Sequence, residues 1–179
     1  MLVKYETKRT VNFLLFLLRS MGGKLEIDMI YVLFYLADLK FVAMYGRITF
    51  GHRYLAMRSG PVPYNVFRLL LDMNNNSEDN LAETIKKHVT VEDGIMSSGV
   101  RYDSGYLAQE EVTCLFEIIN KYKDMPHAQL RELAKGVSWQ ETQRQSFISI
   151  TDMAKEGNAS EYILMMIALK YESEKWSKL

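Results

Sequence analysis

The chain has 179 residues, of which 48% are apolar and 25% are charged, and its 22 basic residues balance its 22 acidic residues. Disordered chains contain fewer apolar residues and carry more net charge, so this composition excludes them and predicts a folded protein with a real core. Because the net charge is zero, no overall field draws the protein to nucleic acid or to an anionic membrane. A role at either partner would need a local patch.

The cysteine content and the apolar runs bear on where the protein is found. The single cysteine, Cys114, cannot form an internal disulfide and suits a reducing compartment. The longest uninterrupted apolar runs, 30–37 and 162–169, are much shorter than the roughly 20 residues that span a bilayer. The polar start of the chain has no signal-peptide pattern. We therefore expect a cytoplasmic protein without a membrane partner.

The first half of the chain predicts three helices and two extended segments. Apolar spacing over 11–18 predicts an amphipathic helix, which the glycines at 22–23 end. A second helix is expected over 26–45, and because it is apolar on nearly every side it should be central and buried. Extended segments follow on both sides of Gly51, and Pro63 is expected to open the third helix. The inward face of the second helix is predicted to contain Ile30, Leu33, Phe34, Ala37, Phe41 and Met44.

The middle of the chain predicts a loop, a hairpin and a long helix. The polar stretch 74–80 is the one plausible joint between domains, and a short helix is expected over 81–87. Asp93 and Gly94 are a strong signal for a two-residue hairpin turn. A helix is expected over 108–122. Its inward residues are predicted to be Val112, Leu115, Phe116, Ile119 and Tyr122.

Short helices are predicted to fill the last third of the chain. Pro126 opens one that Gly136 closes, Ser138 and Glu141 match a capping box, and Thr151 is a further candidate cap. The last helix is expected over 159–176 with Tyr162, Met165, Met166 and Leu169 facing inward.

These elements together predict a mainly helical α+β protein. We expect a compact helical domain of about six to eight helices with one or two short β-hairpins. The loop at 74–80 is too short to indicate two domains, so residues 1–179 are interpreted as one domain.

A search for catalytic and metal-binding patterns yields no candidate. His52, His88 and His127 are scattered, and none is spaced for metal binding with another histidine or with the cysteine. Cys114 has apolar neighbours and is interpreted as an inert packed thiol. The adjacent acids at 110–111 are interpreted as a solvated helix start. Phosphate-binding glycine loops and a GxSxG elbow are absent from the sequence, so we expect no enzyme and no cofactor.

One polar pattern remains on the second helix, and it consists of Asp28, Tyr31, Tyr35 and Asp38. Three arginines, Arg47, Arg53 and Arg58, follow this helix in the next stretch of chain. One interpretation is that Asp38 pairs with an arginine or with backbone N–H groups near the glycines, because a half-buried acid needs a partner. The other is that the tyrosines and arginines form a contact surface, since both types are enriched at binding hot spots.

At these residues the sequence resembles the SocA-like Panacea domain, an antitoxin family of bacteria and phages. The core of the resemblance spans 28–73, and a weaker match continues to about residue 145. Family members often carry a histidine shortly before the tryptophan of the later half, where this chain has Ala-Lys-Gly at 134–136. The residues that match are Tyr35, Asp38, Tyr45, Gly46, Arg47, Gly51, Tyr54, Gly60, Pro61, Pro63 and Trp139.

The resemblance implies a non-enzymatic domain that neutralises a cognate toxin protein by direct contact. Some relatives deliver a toxin to a cellular protease, so occlusion and delivery both stay open. A signature shared by members with different partners is expected to be scaffold. The termini and the stretch 92–106 are then candidates for choosing the toxin. The candidate partner contacts are Tyr31, Arg53 and Arg58.

Two further interpretations stay open. A helix, short hairpin and helix resemble a winged-helix arrangement, so a nucleic-acid-binding regulator that uses Arg47, Arg53 and Arg58 is the alternative function. The zero net charge makes nucleic acid the less favoured partner. The outer face of the last helix, with Tyr171 and Trp176, suits a homodimer and a toxin equally.

Overall fold

The computed structural model of the chain describes residues 2–74 and 86–176. Within these ranges it contains eight α-helices, five short strands and one 3-10 helix at Ser104–Tyr106. The helices are α1 (Leu2–Ser20), α2 (Ile27–Tyr45), α3 (Tyr64–Asn74), α4 (Gln109–Tyr122), α5 (His127–Leu133), α6 (Val137–Glu141), α7 (Ile150–Glu156) and α8 (Glu161–Trp176). The strands are β1 (Lys24–Glu26), β2 (Tyr54–Met57), β3 (Gly60–Pro63), β4 (Thr90–Glu92) and β5 (Ile95–Ser97).

The mainly helical class with short hairpins is therefore confirmed. The predicted loop at 74–80 and the predicted helix at 81–87 lie outside the described residues except at their ends.

Helix α2 is the centre of the fold, as its apolar sequence predicts. Its side chains are buried almost without interruption from Met29 to Val42. It packs against α4, α5, α7, α8, β1 and β3. Gly46 ends the helix in a left-handed conformation (φ 67°), from which its N–H donates to the carbonyl of Val42. Met44, predicted to face inward, is 49% exposed because the last turn extends beyond the core.

Two small antiparallel sheets flank this helix. One has the strand order β1–β5–β4, and its hairpin turns at Asp93 and Gly94, which both have positive φ (50° and 76°). This geometry is the one that favours Asp-Gly, and the predicted hairpin is confirmed. The other sheet is the hairpin β2–β3. Its outer edge on β2 is covered by 145–148, where the N–H of Ile148 donates to the carbonyl of Tyr54.

Two predictions around this second hairpin are wrong. The stretch 47–50, predicted to be extended, is a loop because its N–H groups bond to the side chain of Asp38 instead of to a strand. Pro63 closes β3, and α3 begins at Tyr64. The proline ring still fixes the backbone immediately before the helix.

Cap and face predictions in the second half are corrected in three places. Phe116 on α4 is 50% exposed, and the buried residues of that helix are Glu111, Cys114, Leu115, Ile118 and Ile119. Ser138 lies inside α6, which Gly136 precedes, so the predicted capping box is not formed. Ser149, and not Thr151, caps α7 by accepting from the N–H groups of Thr151 and Asp152.

The facing of α8 is also opposite to the prediction. Tyr162, Met165, Met166 and Leu169 point outward. The residues that pack inward are Ile163, Leu164 and Ile167, against Val42 and Ala154. Both faces of this helix are apolar, so periodicity alone does not distinguish them.

Gly157, directly after α7, is a close-packing position that the sequence analysis did not single out. A Cβ atom at this position would lie 2.3 Å from the carbonyl oxygen of Leu39 on α2. Backbone cannot move aside as a flexible side chain can. The absence of a side chain at residue 157 therefore sets how closely α7 approaches α2.

We expect Gly157→Ala to lower the free energy of unfolding by about 1–3 kcal/mol, the usual range for overpacking a core. Denaturant titration followed by circular dichroism measures the change. Gly99→Ala is the matched control, because nothing lies within 4 Å of the added methyl group. Equal stability of Gly157→Ala and the wild type would contradict the close approach.

Candidate functional site

The carboxylate of Asp38 is fully buried in the middle of the signature region and accepts hydrogen bonds from four donors. Its oxygens accept from the backbone N–H groups of Thr49 at 2.7 Å, Phe50 at 3.0 Å and Gly51 at 2.7 Å. The hydroxyl of Tyr54 donates to the same carboxylate at 2.6 Å. Of the partners that the sequence leaves open, the structure therefore has backbone N–H groups and not an arginine.

Burial and hydrogen bonding act in opposite directions on this acid. Burial raises the pKa of Asp38 to about 6, although the hydrogen bonds from Tyr54, Thr49, Gly51 and Phe50 favour its ionised form. Burial and the adjacent Asp38 charge raise the pKa of Tyr54 well above its ordinary value, so its hydroxyl keeps its proton and donates it. Every donor comes from the chain itself, which makes this a bracing site for the loop after α2.

Tyr35 begins a second buried connection, from α2 to the end of the family-like region. Its hydroxyl shares a 2.5 Å hydrogen bond with the hydroxyl of Ser138 on α6. The backbone N–H of Ser138 donates to Glu156 on α7 at 2.7 Å. The ring of Tyr35 packs edge-on against that of Tyr54, with 5.1 Å between centroids. The two tyrosines thus join the Asp38 site to α6 and α7.

The interpretation of the acids at 110–111 as a solvated helix start is wrong for Glu111, which is fully buried. Its carboxylate accepts from Arg9 on α1 at 2.7 Å, from the Thr49 hydroxyl at 2.6 Å and from the N–H of Ala108 at 3.0 Å. Burial would raise the pKa of Glu111, but the hydrogen bonds from Thr49, Ala108 and Arg9 outweigh it and lower that pKa. Its position four residues before the buried Leu115 was the available signal, since such residues share a helix face.

The three arginines of the signature region have separate environments. Arg47 lies 3.4 Å from Glu111 and 3.5 Å from Glu110. Arg53 stacks over the ring of Phe147, 3.6 Å from its centroid. Arg58 is exposed beside the turn of the β2–β3 hairpin. Their grouping in the sequence therefore does not produce one shared contact.

The polar pattern predicted along α2 divides into a buried and an accessible part. Tyr35 and Asp38 are fully buried. Tyr31 is partly buried against the core, and burial followed by the nearby Asp28 charge raises its pKa to about 12. Asp28 is exposed and lies 3.9 Å from Arg131. The use of Tyr31, Arg53 and Arg58 as partner contacts stays a prediction.

The remaining signature residues surround the hairpin and the loop. A Cβ atom on Gly51 would lie 2.1 Å from the ring of Tyr54, so only glycine fits there. In β3, Gly60 has a φ of 136°. Pro61 pairs with Ala56 of β2, and Pro63 pairs with Tyr54. The ring of Tyr45 packs on that of Phe41.

Trp139 is the signature residue of the later half of the match. Its indole N–H donates to the carbonyl of Met57 at 2.9 Å, and the guanidinium of Arg144 stacks over the indole ring, 3.8 Å from the ring centroid.

Several titratable side chains of α2 and α4, namely Lys40, Glu110, Cys114 and Glu117, line one pocket between the two helices. In the described ranges no three His, Cys, Asp or Glu side chains are placed to hold a metal ion. Cys114 is buried, its thiol lies 3.5 Å from the carbonyl of Ala37, and burial raises its pKa to about 12. A raised pKa keeps a thiol protonated, whereas the reactive form of cysteine is the thiolate. None of the helices of residues 2–74 and 86–176 has the length and apolarity to cross a membrane.

We expect Asp38→Asn to lower the free energy of unfolding by about 3 kcal/mol at pH 7. An amide has one acceptor oxygen, and its NH₂ group would face backbone N–H donors that then stay buried without an acceptor. Denaturant unfolding measures the change. Asp28→Asn, on the exposed part of the same helix, should stay within about 0.5 kcal/mol. A similar effect of both variants would count against the bracing role.

We expect Glu111→Gln to lower the free energy of unfolding by about 1–3 kcal/mol at pH 7 and by less as the pH falls below 4.5. The folded pKa of Glu111 lies below its ordinary value of 4.5, so its stabilising contribution is present above pH 4.5 and is lost as the pH falls through the folded pKa. The pKa of Asp38 is raised and not lowered, so its contribution to stability depends on pH in the opposite direction. Asp38 is present in both proteins, and its contribution therefore cancels in their difference. Unfolding curves at pH 3, 5 and 7 test this, and a difference that does not depend on pH would contradict it.

Comparison with known proteins agrees with the signature. The family model for the antitoxin SocA-like, Panacea domain matches residues 32–140, more than half of the chain. No curated protein and no solved structure matches the chain. The match includes α2 from residue 32 onward, the Asp38 site, both hairpins, Glu111 and Trp139. The chain therefore belongs to the SocA-like Panacea antitoxin family.

Proposed function

We propose that this protein is an antitoxin of a bacterial or phage toxin–antitoxin system and neutralises a cognate toxin by direct protein contact. The observation that carries the proposal is the family match over 32–140. The two buried acids inside the match, Asp38 and Glu111, support a structural role for themselves over a catalytic one, because both are bonded to donors of the chain itself. A catalytic acid would instead face a cleft that a substrate enters.

In this proposal the signature residues are the frame and not the toxin-binding face. Tyr35, Asp38 and Tyr54 have no exposed surface, so a toxin cannot touch them without unfolding the domain. Contacts must come from exposed side chains, for which Arg53 and Arg58 are available. A fixed frame with a separate contact surface allows one fold to accept different partners.

The proposal includes a single domain in the cytoplasm. Helix α2 packs against elements from both ends of the chain, from β1 near the start to α8 near the end. These contacts support one cooperative unit. A single buried cysteine suits the reducing cytoplasm. No specific observation favours a nucleic-acid-binding regulator, since Arg47 is paired with two acids and the three arginines of the signature region do not form one shared contact.

Expression of each flanking gene, alone and together with this chain, tests the proposal. We expect one flanking product to stop growth when expressed alone, growth to return on co-expression, and the two proteins to purify together. A catalytically silent antitoxin should act at about equal stoichiometry, so rescue should depend on the ratio of the two proteins. If neither flanking product is toxic or bound, the proposal fails.

The same cells distinguish occlusion from delivery to a protease. Occlusion leaves the amount of toxin unchanged, whereas delivery shortens its half-life only in strains that retain the protease. A translation-arrest chase followed by immunoblotting measures that half-life. Strains that lack one cytoplasmic protease at a time are the controls.

A further inference from the structure

The outward face of α8 carries four large apolar side chains that nothing in the described part of the chain covers. Their exposed fractions are 63% for Tyr162, 52% for Met165, 46% for Met166 and 54% for Leu169. The spacing i, i+3, i+4, i+7 places them in one row. We call these four residues the α8 stripe. Single exposed apolar residues are ordinary on proteins, but a continuous row of four is a patch.

The opposite face of the helix holds the α8 stripe in a fixed direction. Ile167 is buried against Val42 and Ala154. Ile163 and Ile167 pack over Gly46, whose missing side chain would lie about 3.5 Å from them. Helix α8 is therefore fixed on α2 through its inward face. The stripe therefore lies on the outer side of a helix whose position is set by its inward contacts.

The size of the stripe bears on what covers it. A large side chain has on the order of 200 Å² of surface, so four that are half-exposed offer roughly 400 Å². Two copies of the chain joined through this convex helix would bury roughly 800 Å², below the ~1,200 Å² of a stable complex. A concave partner that surrounds the helix buries more surface than a second convex helix does. The total buried area can then reach that of a stable complex. The area thus favours a groove on a different protein over a second copy.

The residue types indicate the chemistry of that groove. The stripe itself carries no charge, so an apolar lining is needed to complement it. Two methionines at its centre adapt to grooves of irregular shape because their side chains are unbranched and flexible. Tyr162 at one end offers a hydroxyl that can bond at the wet rim. Anchors at i, i+3, i+4 and i+7 are the arrangement by which a helix binds in a groove.

We propose that the α8 stripe is the toxin-binding element of this protein and inserts into an apolar groove on the toxin. This inference rests on the proposed antitoxin function and assigns its contact surface. The partner surface, in turn, is a groove lined by aliphatic and aromatic side chains. A charged side chain at the centre of the stripe would be buried there without a partner.

The test uses the full-length chain and the toxic product of the flanking gene. Met166→Lys should weaken the complex at least tenfold and abolish rescue of growth at equal expression. Phe116→Lys is the matched control, since Phe116 is also apolar and 50% exposed but lies on α4. It should bind and rescue as the wild type does. Circular dichroism and the unfolding midpoint should be the same for all three proteins, because both positions are half-exposed.

The outcomes separate this inference from the proposed function. If the wild type rescues growth and Met166→Lys rescues equally well, the α8 stripe is not the contact and the antitoxin function stands. If the wild type itself neutralises neither flanking product, both proposals fall. Light scattering of the chain alone at 10–100 µM should give a monomer. A dimer that Met166→Lys dissociates would overturn the assignment in favour of a second copy.

Discussion

The fold depends on how one buried charge is accommodated. Asp38 lies on the central helix with no exposed surface, and three consecutive backbone N–H groups and one tyrosine hydroxyl point at it. A carboxylate in such a place without donors would cost several kcal/mol. The loop that supplies the donors is thereby fixed against α2. The β2–β3 hairpin, which follows directly, takes its position from that loop.

The second buried acid links this arrangement to the rest of the domain. Thr49 donates its N–H to Asp38 and its hydroxyl to Glu111, so one residue of the loop touches both carboxylates. Glu111 also accepts from Arg9 of α1. Three segments that are far apart in the chain thus meet at adjacent acids. Such a network fixes the relative positions of α1, α2 and α4 more specifically than apolar packing alone.

The sequence predicts the elements better than it predicts their contacts. The central helix, the Asp93–Gly94 hairpin and the mainly helical class follow from local patterns, because glycine, proline and apolar spacing act over a few residues. The need of Asp38 for a partner was also visible, although its donors were not. Glu111 was wrongly interpreted as solvated, because the partner that makes its burial possible, Arg9, is 102 residues away in the chain. The facing of α8 was wrong because both of its faces are apolar.

Different sequence separations within the polar network have a kinetic consequence. The donors to Asp38 are 11 to 16 residues away, whereas the Tyr35–Ser138 hydrogen bond joins residues 103 apart. Short loops close sooner than long ones and cost less chain entropy. We expect α2, its loop and the β2–β3 hairpin to assemble as a unit while later segments are still being synthesised. The packing of α6, α7 and α8 against α2 then completes the domain. A newly made chain reaches its full fold only after this step.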